Sequence, residues 1–384
     1  MELWALLPIG VFLLGKIIEE RLHRTSLSRT PLRIHVNGTR GKSQTTELIV
    51  KGIQAAGIRA MGKVTGVVPL LIHVDGSKTL IKRIAPPSIR EQKWTVRQAA
   101  REEAEILVIE CMAIKPKLQW VSERKMIRSQ IGVITNVRLD HTDLLGRSPS
   151  KIARALANTI PKKGVLFTTE QSQYEILSVE AKRRETKPIY VDKESQVDAT
   201  LEKRIPPWIH PENLALALAV CEYIGIPRQV ALRGMIELPR EVGSFEIIHF
   251  VVEGKRLIFV NAFAANDPQS TQTLLERALL CLGKNMSIIG LFNHRRDRFF
   301  RARTFADFVQ KAGFDQVFLI GDRLPRSRSF FPGAVDLSQI HQAEPLCTRI
   351  ASELPEGSAL FGFGNIGGIG IELSEYLKQI GEEG

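Results

Sequence analysis

The run Gly38-Thr39-Arg40-Gly41-Lys42-Ser43 brings together residue types that can hold a nucleotide phosphate. Glycines let backbone N–H groups turn inward around phosphate oxygens, and the start of a following helix adds the positive end of its dipole. Lys42 can neutralise charge on the β- and γ-phosphates, and the Ser43 hydroxyl can hold Mg²⁺. Only Thr39 and Arg40 separate Gly38 from Gly41, a shorter gap than the usual phosphate-loop pattern has. A Gly-Lys-Ser in a turn can arise by chance. Here an apolar run, Leu32–Asn37, precedes it and a helix-like stretch, Ser43–Ala56, follows, so the context favours nucleotide binding.

A divalent ion beside such a loop takes oxygen or imidazole ligands from the carboxyl ends of neighbouring strands. Glu110 ends the apolar run Ile106–Ile109, and His141 follows the run Ile131–Thr135 within Asn136-Val-Arg-Leu-Asp-His-Thr-Asp143. Each alone reads as a salt-bridge partner or a solvated histidine; with Ser43 they form a candidate Mg-nucleotide set. Further along, Arg295, Arg296, Arg298, Arg301 and Arg303 accompany one acid, Asp297, and could clamp phosphate or carboxylate. Asn261, Asn266 and Asp267 end another apolar run and are available to a ribose or base, or simply to a helix cap. Gly362, Gly364, Gly367 and Gly368 repeat the strand–glycines–helix pattern, yet no acidic ribose partner lies beyond them, so a tight turn over phosphate or carboxylate is an equal reading.

The elements that must position these groups alternate short apolar runs with longer helix-like stretches. That rhythm predicts a mostly parallel sheet covered by helices. Strands are expected at 32–37, 105–112, 130–136, 165–168 and 188–191, and a deeply packed helix at 211–225. Pro227 and Leu238–Ser244 interrupt the pattern and mark a domain boundary. Beyond it, runs at 245–252 and 256–263 flank Glu253-Gly254, a hairpin signal, and helix alternates with strand to the end. The expected organisation is therefore an apolar segment and basic linker (1–30), an α/β domain that carries the glycine loop (31–241) and a smaller α/β domain (242–384).

The chain has 384 residues, 44% of them apolar and 24% charged, which excludes a disordered chain and a polytopic membrane protein. A net charge of +12 calls for an anionic partner or surface without saying which. Cys111, Cys221, Cys281 and Cys347 form no CxxC pair, which points to a reducing compartment rather than to disulfides or a zinc knuckle. Leu3 to Gly15 carries no charge, and Ile17 and Ile18 extend the apolar stretch to the lower limit for a bilayer span. The basic residues Lys16, Arg21, Arg24 and Arg29 all follow it, so the positive-inside rule places the catalytic domains in the cytoplasm on a membrane anchor. A docking helix that lies on a surface is the alternative.

Taken in order, NGTRGKS, IECMA, NVRLDHTD, HPENLALALAV, VNAFAANDPQST, HRRDR and FGFGNIGG resemble the ligase subunit of poly-γ-glutamate synthase, the PgsB/CapB type. That family is related to the Mur amide ligases and folylpolyglutamate synthase, and the similarity runs from the first helix to the last. The resemblance implies an α/β fold: a Mur-ligase-like P-loop ATPase domain with a mostly parallel sheet, a Rossmann-like C-terminal domain and an N-terminal apolar helix. It implies that ATP phosphorylates the chain-end carboxylate of poly-γ-glutamate and that the amine of glutamate then displaces phosphate. Catalytic roles fall on Lys42, Glu110, His141, Arg295 and Arg298, and Mg²⁺ on Ser43, Glu110 and His141. The nucleotide falls to Gly38, Thr39, Arg40, Gly41, Lys42, Ser43, Asn213, Asn261, Asn266 and Asp267. Glutamate and its polymer, a membrane and small integral-membrane synthase subunits are the implied partners; no nucleic acid is expected, and a homo-oligomer stays open.

The chain departs from its relatives in places. Ala155-Leu156-Ala157 stands where Mur ligases often place a carbamylated lysine, and Asn261 stands where they have a ribose-binding Asp. Glu246 occupies a domain-junction position expected to hold Arg, with Arg240 as a stand-in. The Mur substrate-binding N-terminal domain is replaced by the apolar segment, which disfavours a nucleotide-linked cell-wall precursor. The rival readings are a Mur-type ligase that adds glutamate to another acceptor, and a membrane-recruited, nucleic-acid-binding ATPase switch. Against the last, the basic residues lack interleaved aromatics.

Overall fold

The computed structural model describes residues 6–66, 69–83, 87–206, 208–239, 245–265, 267–283, 286–296, 299–322 and 327–383. The chain divides into two compact units, Met1–Leu238 and Pro239–Gly384.

The first unit carries an eight-stranded sheet. Its strands are β1 (Leu32–Asn37), β2 (Ala60–Val64), β3 (Leu70–Ile72), β4 (Lys78–Leu80), β5 (Ile106–Glu110), β6 (Ile131–Ile134), β7 (Val165–Thr168) and β8 (Lys187–Tyr190). They lie in the order β4-β3-β2-β5-β1-β6-β7-β8. From β2 to β8 all neighbours are parallel, and β3 and β4 add an antiparallel hairpin at one edge. The central strands are buried almost throughout because helices cover both faces. Helices Lys42–Gln54, Pro211–Tyr223 and Arg228–Ile236 share one core with β1, β5 and β6. The middle helix is apolar nearly all round and is buried accordingly.

Helix Leu6–Arg29 opens the chain. Among the described residues no helix is long and apolar enough to cross a membrane, and residues 1–5, where the expected apolar run begins, lie outside them. Lys16, Glu19 and Glu20 end the apolar run, Glu19 pairs with Lys93 at 3.2 Å, and His23 and Leu27 are buried against the domain. The first half differs: Val11, Phe12, Leu13, Leu14, Ile17 and Ile18 are exposed.

The second unit holds a seven-stranded sheet: β9 (Glu246–Val252), β10 (Lys255–Asn261), β11 (Ile288–His294), β12 (Gln316–Gly321), β13 (Val335–Asp336), β14 (Ala359–Phe363) and β15 (Gly381–Glu383), in the order β13-β12-β11-β14-β10-β9-β15. β9 is antiparallel to β10 and to β15, and the remaining pairs are parallel. The β9–β10 turn uses Glu253 and Gly254, both at positive φ (50° and 73°), as a tight hairpin demands. Phenylalanines fill one face: Phe292, Phe305, Phe308, Phe314, Phe361 and Phe363 form a chain of ring contacts.

Candidate active site

β1 delivers the chain into the loop 38–41, and the helix Lys42–Gln54 leaves it. Gly41 is the residue before the helix and sits in the left-handed region at φ 77°; a Cβ there would collide with the Asn213 side-chain oxygen. Gly38, at φ 136°, leaves no room for a side chain beside Thr135. Both glycines are thus fixed by shape as well as by dihedral angle. Lys42 Nζ curls back over the loop and donates to Gly38 O at 2.9 Å.

Asn136 ties the loop down from β6. Its Oδ1 accepts from Thr39 Oγ1 at 2.6 Å and from Arg40 N at 3.1 Å. Asn213, at the start of its helix, donates to Gln44 Oε1 at 2.9 Å, so the residue drawn from the HPENLALALAV motif does stand against the loop. Arg40 pairs with Asp140 at 3.3 Å.

Ser43 Oγ donates to Glu110 Oε2 over 2.9 Å, and the same oxygen accepts from Thr65 N at 2.6 Å. β1 and β5 are parallel neighbours, so the loop after one and the carboxylate ending the other meet at the same sheet edge. A hydroxyl beside a carboxylate is a hard-oxygen donor pair that suits Mg²⁺ or Mn²⁺, with phosphate oxygens and water completing the shell. His141 follows β6 in the chain. It caps a short helix at φ 45°, and its Nε2 lies 3.8 Å from Asp140 Oδ2. Among the described residues no three His, Cys, Asp or Glu side chains gather as a metal site. The structure thus joins Ser43 and Glu110 side chain to side chain.

Buried polar groups hold this edge rigid. Lys63, fully buried on β2, donates to Gln92 Oε1 at 3.0 Å, and Gln92 Nε2 donates to Glu110 O at 3.1 Å. Burial pushes the Lys63 ammonium down to about 8, against the opposing pull of Glu91. Under the loop, His35 of β1 meets Glu123 at 2.8 Å, and Glu123 also accepts from Ser129 N and Oγ. Burial alone would lower the His35 imidazole, but its contacts with Cys111 and Glu123 win and raise it to about 9. Neither network announces itself in the sequence, because its members are single polar residues in apolar strands.

In the second unit the expected nucleotide residues are largely engaged internally. Asn261 is buried, donates to Ser374 Oγ at 3.2 Å and accepts from Phe263 N at 3.3 Å. Asp267 caps the helix Pro268–Leu282 through Ser270 N at 2.9 Å. Asn266, Arg298 and Arg240 lie outside the described residues. Arg295 is exposed, with its guanidinium against Gly367, where a Cβ would sit 2.7 Å from Nη1. Arg301 donates to Asn365 Oδ1, and Asn293 Nδ2 donates to Asn365 O at 2.6 Å and Gly367 O at 3.0 Å. A Cβ would meet Phe263 and Phe259 at Gly362, Phe292 and the Asn293 carbonyl at Gly364, Arg295 at Gly367 and the Asn293 amide at Gly370, while Gly368 has open space beside it. Glu246, at the expected arginine position, pairs with Lys378 at 2.9 Å.

Comparison with known proteins matches residues 36–207 to the Mur ligase middle domain and residues 247–380 to the poly-gamma-glutamate synthase CapB C-terminal domain. The capsule biosynthesis protein CapB of Bacillus anthracis is 34% identical over 96% of this chain and 81% of its own length. The PGA synthase CapB of Bacillus subtilis strain 168 is 32% identical over 98% of each. Among solved structures, E. coli FolC in complex with ADP matches with a TM-score of 0.69 at 15% identity over 94% of both chains. Mycobacterium tuberculosis folylpolyglutamate synthase complexed with ADP gives 0.63 at 16% identity over 98% of this chain and 99% of its own.

Proposed function

The chain belongs to the CapB family of poly-γ-glutamate synthases and is an ATP-dependent amide ligase, and from that premise we propose that it elongates poly-γ-glutamate. The observation that carries the reading is the contact of Ser43 with Glu110 at the mouth of a glycine loop. In a ligase of this type ATP activates a carboxylate as an acyl phosphate, and an amine then displaces phosphate. Lys42 would neutralise the charge that moves from γ-phosphate to carboxylate, as a positioned cation does for any developing negative charge. Ser43 and Glu110 would hold Mg²⁺, which supplies Lewis-acid polarisation of the phosphoryl oxygens when bound. Arg295 and Arg298 are the cations of the second unit assigned to phosphate or glutamate, and His141 is assigned an outer role through Asp140.

The net charge of +12 suits a polymer that carries one carboxylate per residue. Attachment to the cytoplasmic face of a membrane is part of the same proposal. It is supported by the exposed apolar first half of the opening helix, and small integral-membrane subunits are the partners that the family implies. The test is ADP release by membranes containing the protein, with Mg-ATP and each glutamate enantiomer, and mass spectrometry of the product. Glutamate-dependent release with a ladder of γ-linked products is the expected result; turnover indifferent to glutamate would sink the reading.

A further inference from the structure

We propose that the groove between the β3–β4 hairpin and the helix Arg90–Arg101 is a second binding site, which holds carboxylates of the growing γ-linked chain away from the bond being made. The proposal rests on the ligase reading above and names where that enzyme grips its polymer. The cavity measures about 610 Å³, the size of an ordinary ligand site. Lys82, Arg83 and Arg90 stand on its wall together with Leu80 and Trp94, and Lys82 and Arg90 are exposed.

Charge accounting makes the groove an anion site. Among the described residues that line it, Glu91 is the one carboxylate, and it is matched twice. Arg83 grips it in a bidentate pair, Nε to Oε1 at 2.9 Å and Nη2 to Oε2 at 3.0 Å, and Lys63 Nζ approaches Oε2 to 3.3 Å from the buried side. The groove is left with surplus positive charge from Lys82 and Arg90. Its apolar share matters as well. Each γ-linked glutamate carries methylenes beside one carboxylate, so a wall that mixes Leu80 and Trp94 with cations complements both parts of the repeat. A strand of nucleic acid would call for several stacking rings; among the described lining residues the rings are Trp94 and His73, and His73 is engaged by Glu102 at 2.7 Å.

The groove is also joined to the reaction centre. Glu91 touches Lys63, Lys63 donates to Gln92, and Gln92 donates to the carbonyl of Glu110. A chain segment held on this wall therefore lies on the same rigid network that places the Glu110 carboxylate.

The test uses the full chain and a fluorescently labelled γ-linked glutamate oligomer. Lys82→Glu combined with Arg90→Glu should weaken oligomer binding by about tenfold or more, the loss expected when two attractive contacts become repulsive. Lys162→Glu combined with Lys182→Glu, the same charge change at exposed positions outside the groove, should weaken it by less than about threefold, since screened distant charges act weakly. An ADP-induced thermal shift confirms that both variants are folded. Equal losses in the two variants would overturn the groove, as would displacement of the oligomer by single-stranded RNA at equal or lower concentration. A wild-type protein that ligates glutamate but does not bind the oligomer overturns the groove alone. One that neither ligates nor binds overturns the reading beneath it.

Discussion

Ser43 and Glu110, 67 residues apart in the chain, meet side chain to side chain at 2.9 Å on one sheet edge. Glu110→Gln keeps the size of the side chain and removes its charge. The divalent-ion concentration for half-maximal ADP release should rise by about tenfold or more, because a neutral amide oxygen is a poorer ligand for a hard cation. An unchanged metal titration would remove Glu110 from the site.

Lys42 touches the carbonyls of its own loop and pairs with no carboxylate among the described residues. Lys42→Ala should lower ADP formation by roughly 10²–10³-fold, the usual loss for one preorganised group facing transition-state charge. Its denaturation midpoint should move by less than about 1 kcal/mol in equivalent stability. Near-normal turnover would contradict the phosphate-loop assignment.

Gly41→Ala faces two separate costs. The left-handed backbone at φ 77° costs about 1–2 kcal/mol for a residue with a Cβ. The collision with Asn213 adds to it. Combining Gly41→Ala with Asn213→Ala should therefore restore part of the loss, which a denaturant-based double-mutant cycle can read. Strict additivity would show that the collision is relieved by other movements.

His35, raised to about 9 by its contacts with Cys111 and Glu123 despite burial, binds its proton more tightly in the folded chain than in the unfolded one. Its contribution is full below about pH 6.5 and is lost as pH rises through about 9. Lys63, lowered by burial to about 8, acts in the opposite sense: between about 8 and 10.5 the unfolded chain holds more protons, so stability rises with pH there. Subtracting the pH profile of a His35→Gln/Glu123→Gln double variant from that of the wild type isolates the first effect. The difference should fall across pH 6.5 to 9, and a flat difference would refute the pairing.

The opening helix should behave as two halves. Replacing exposed Phe12, Leu14 and Ile17 with Asp should release the protein from lipid vesicles or cell membranes and leave its melting temperature almost unchanged. Deleting the helix through Arg29 should instead destabilise the fold by about 3 kcal/mol, because buried His23 and Leu27 are lost from the domain and Arg33 loses one of its several acceptors, Leu27 O at 2.8 Å. Membrane retention by the aspartate variant, measured by sedimentation, would move the attachment elsewhere.

The sequence made the nucleotide loop legible because its signal is local: strand, glycines, lysine, hydroxyl and helix follow one another within about two dozen residues. Strands β1, β5, β6 and β7 were equally plain as apolar runs, and the structure places them within two residues of the expected ends. The hairpin β3–β4 escaped notice because its strands have three residues each, too few for a period to show. Asn261 shows the limit of reading residue types: an amide in the right motif can serve a neighbour, and only coordinates reveal that it bonds Ser374 and Phe263. Lys63 and Gln92 were invisible for the converse reason, since nothing local distinguishes a lone buried polar residue from a surface one.

The phenylalanine-filled face of the second unit has a spectroscopic consequence. All four tryptophans, Trp4, Trp94, Trp120 and Trp208, precede Leu238. Indole emission therefore reports the melting of the nucleotide-binding unit, while the second unit, lit only by Phe and Tyr376, unfolds silently at the same wavelength. Indole fluorescence and calorimetry on one sample can thus separate the stabilities of the two units without a label.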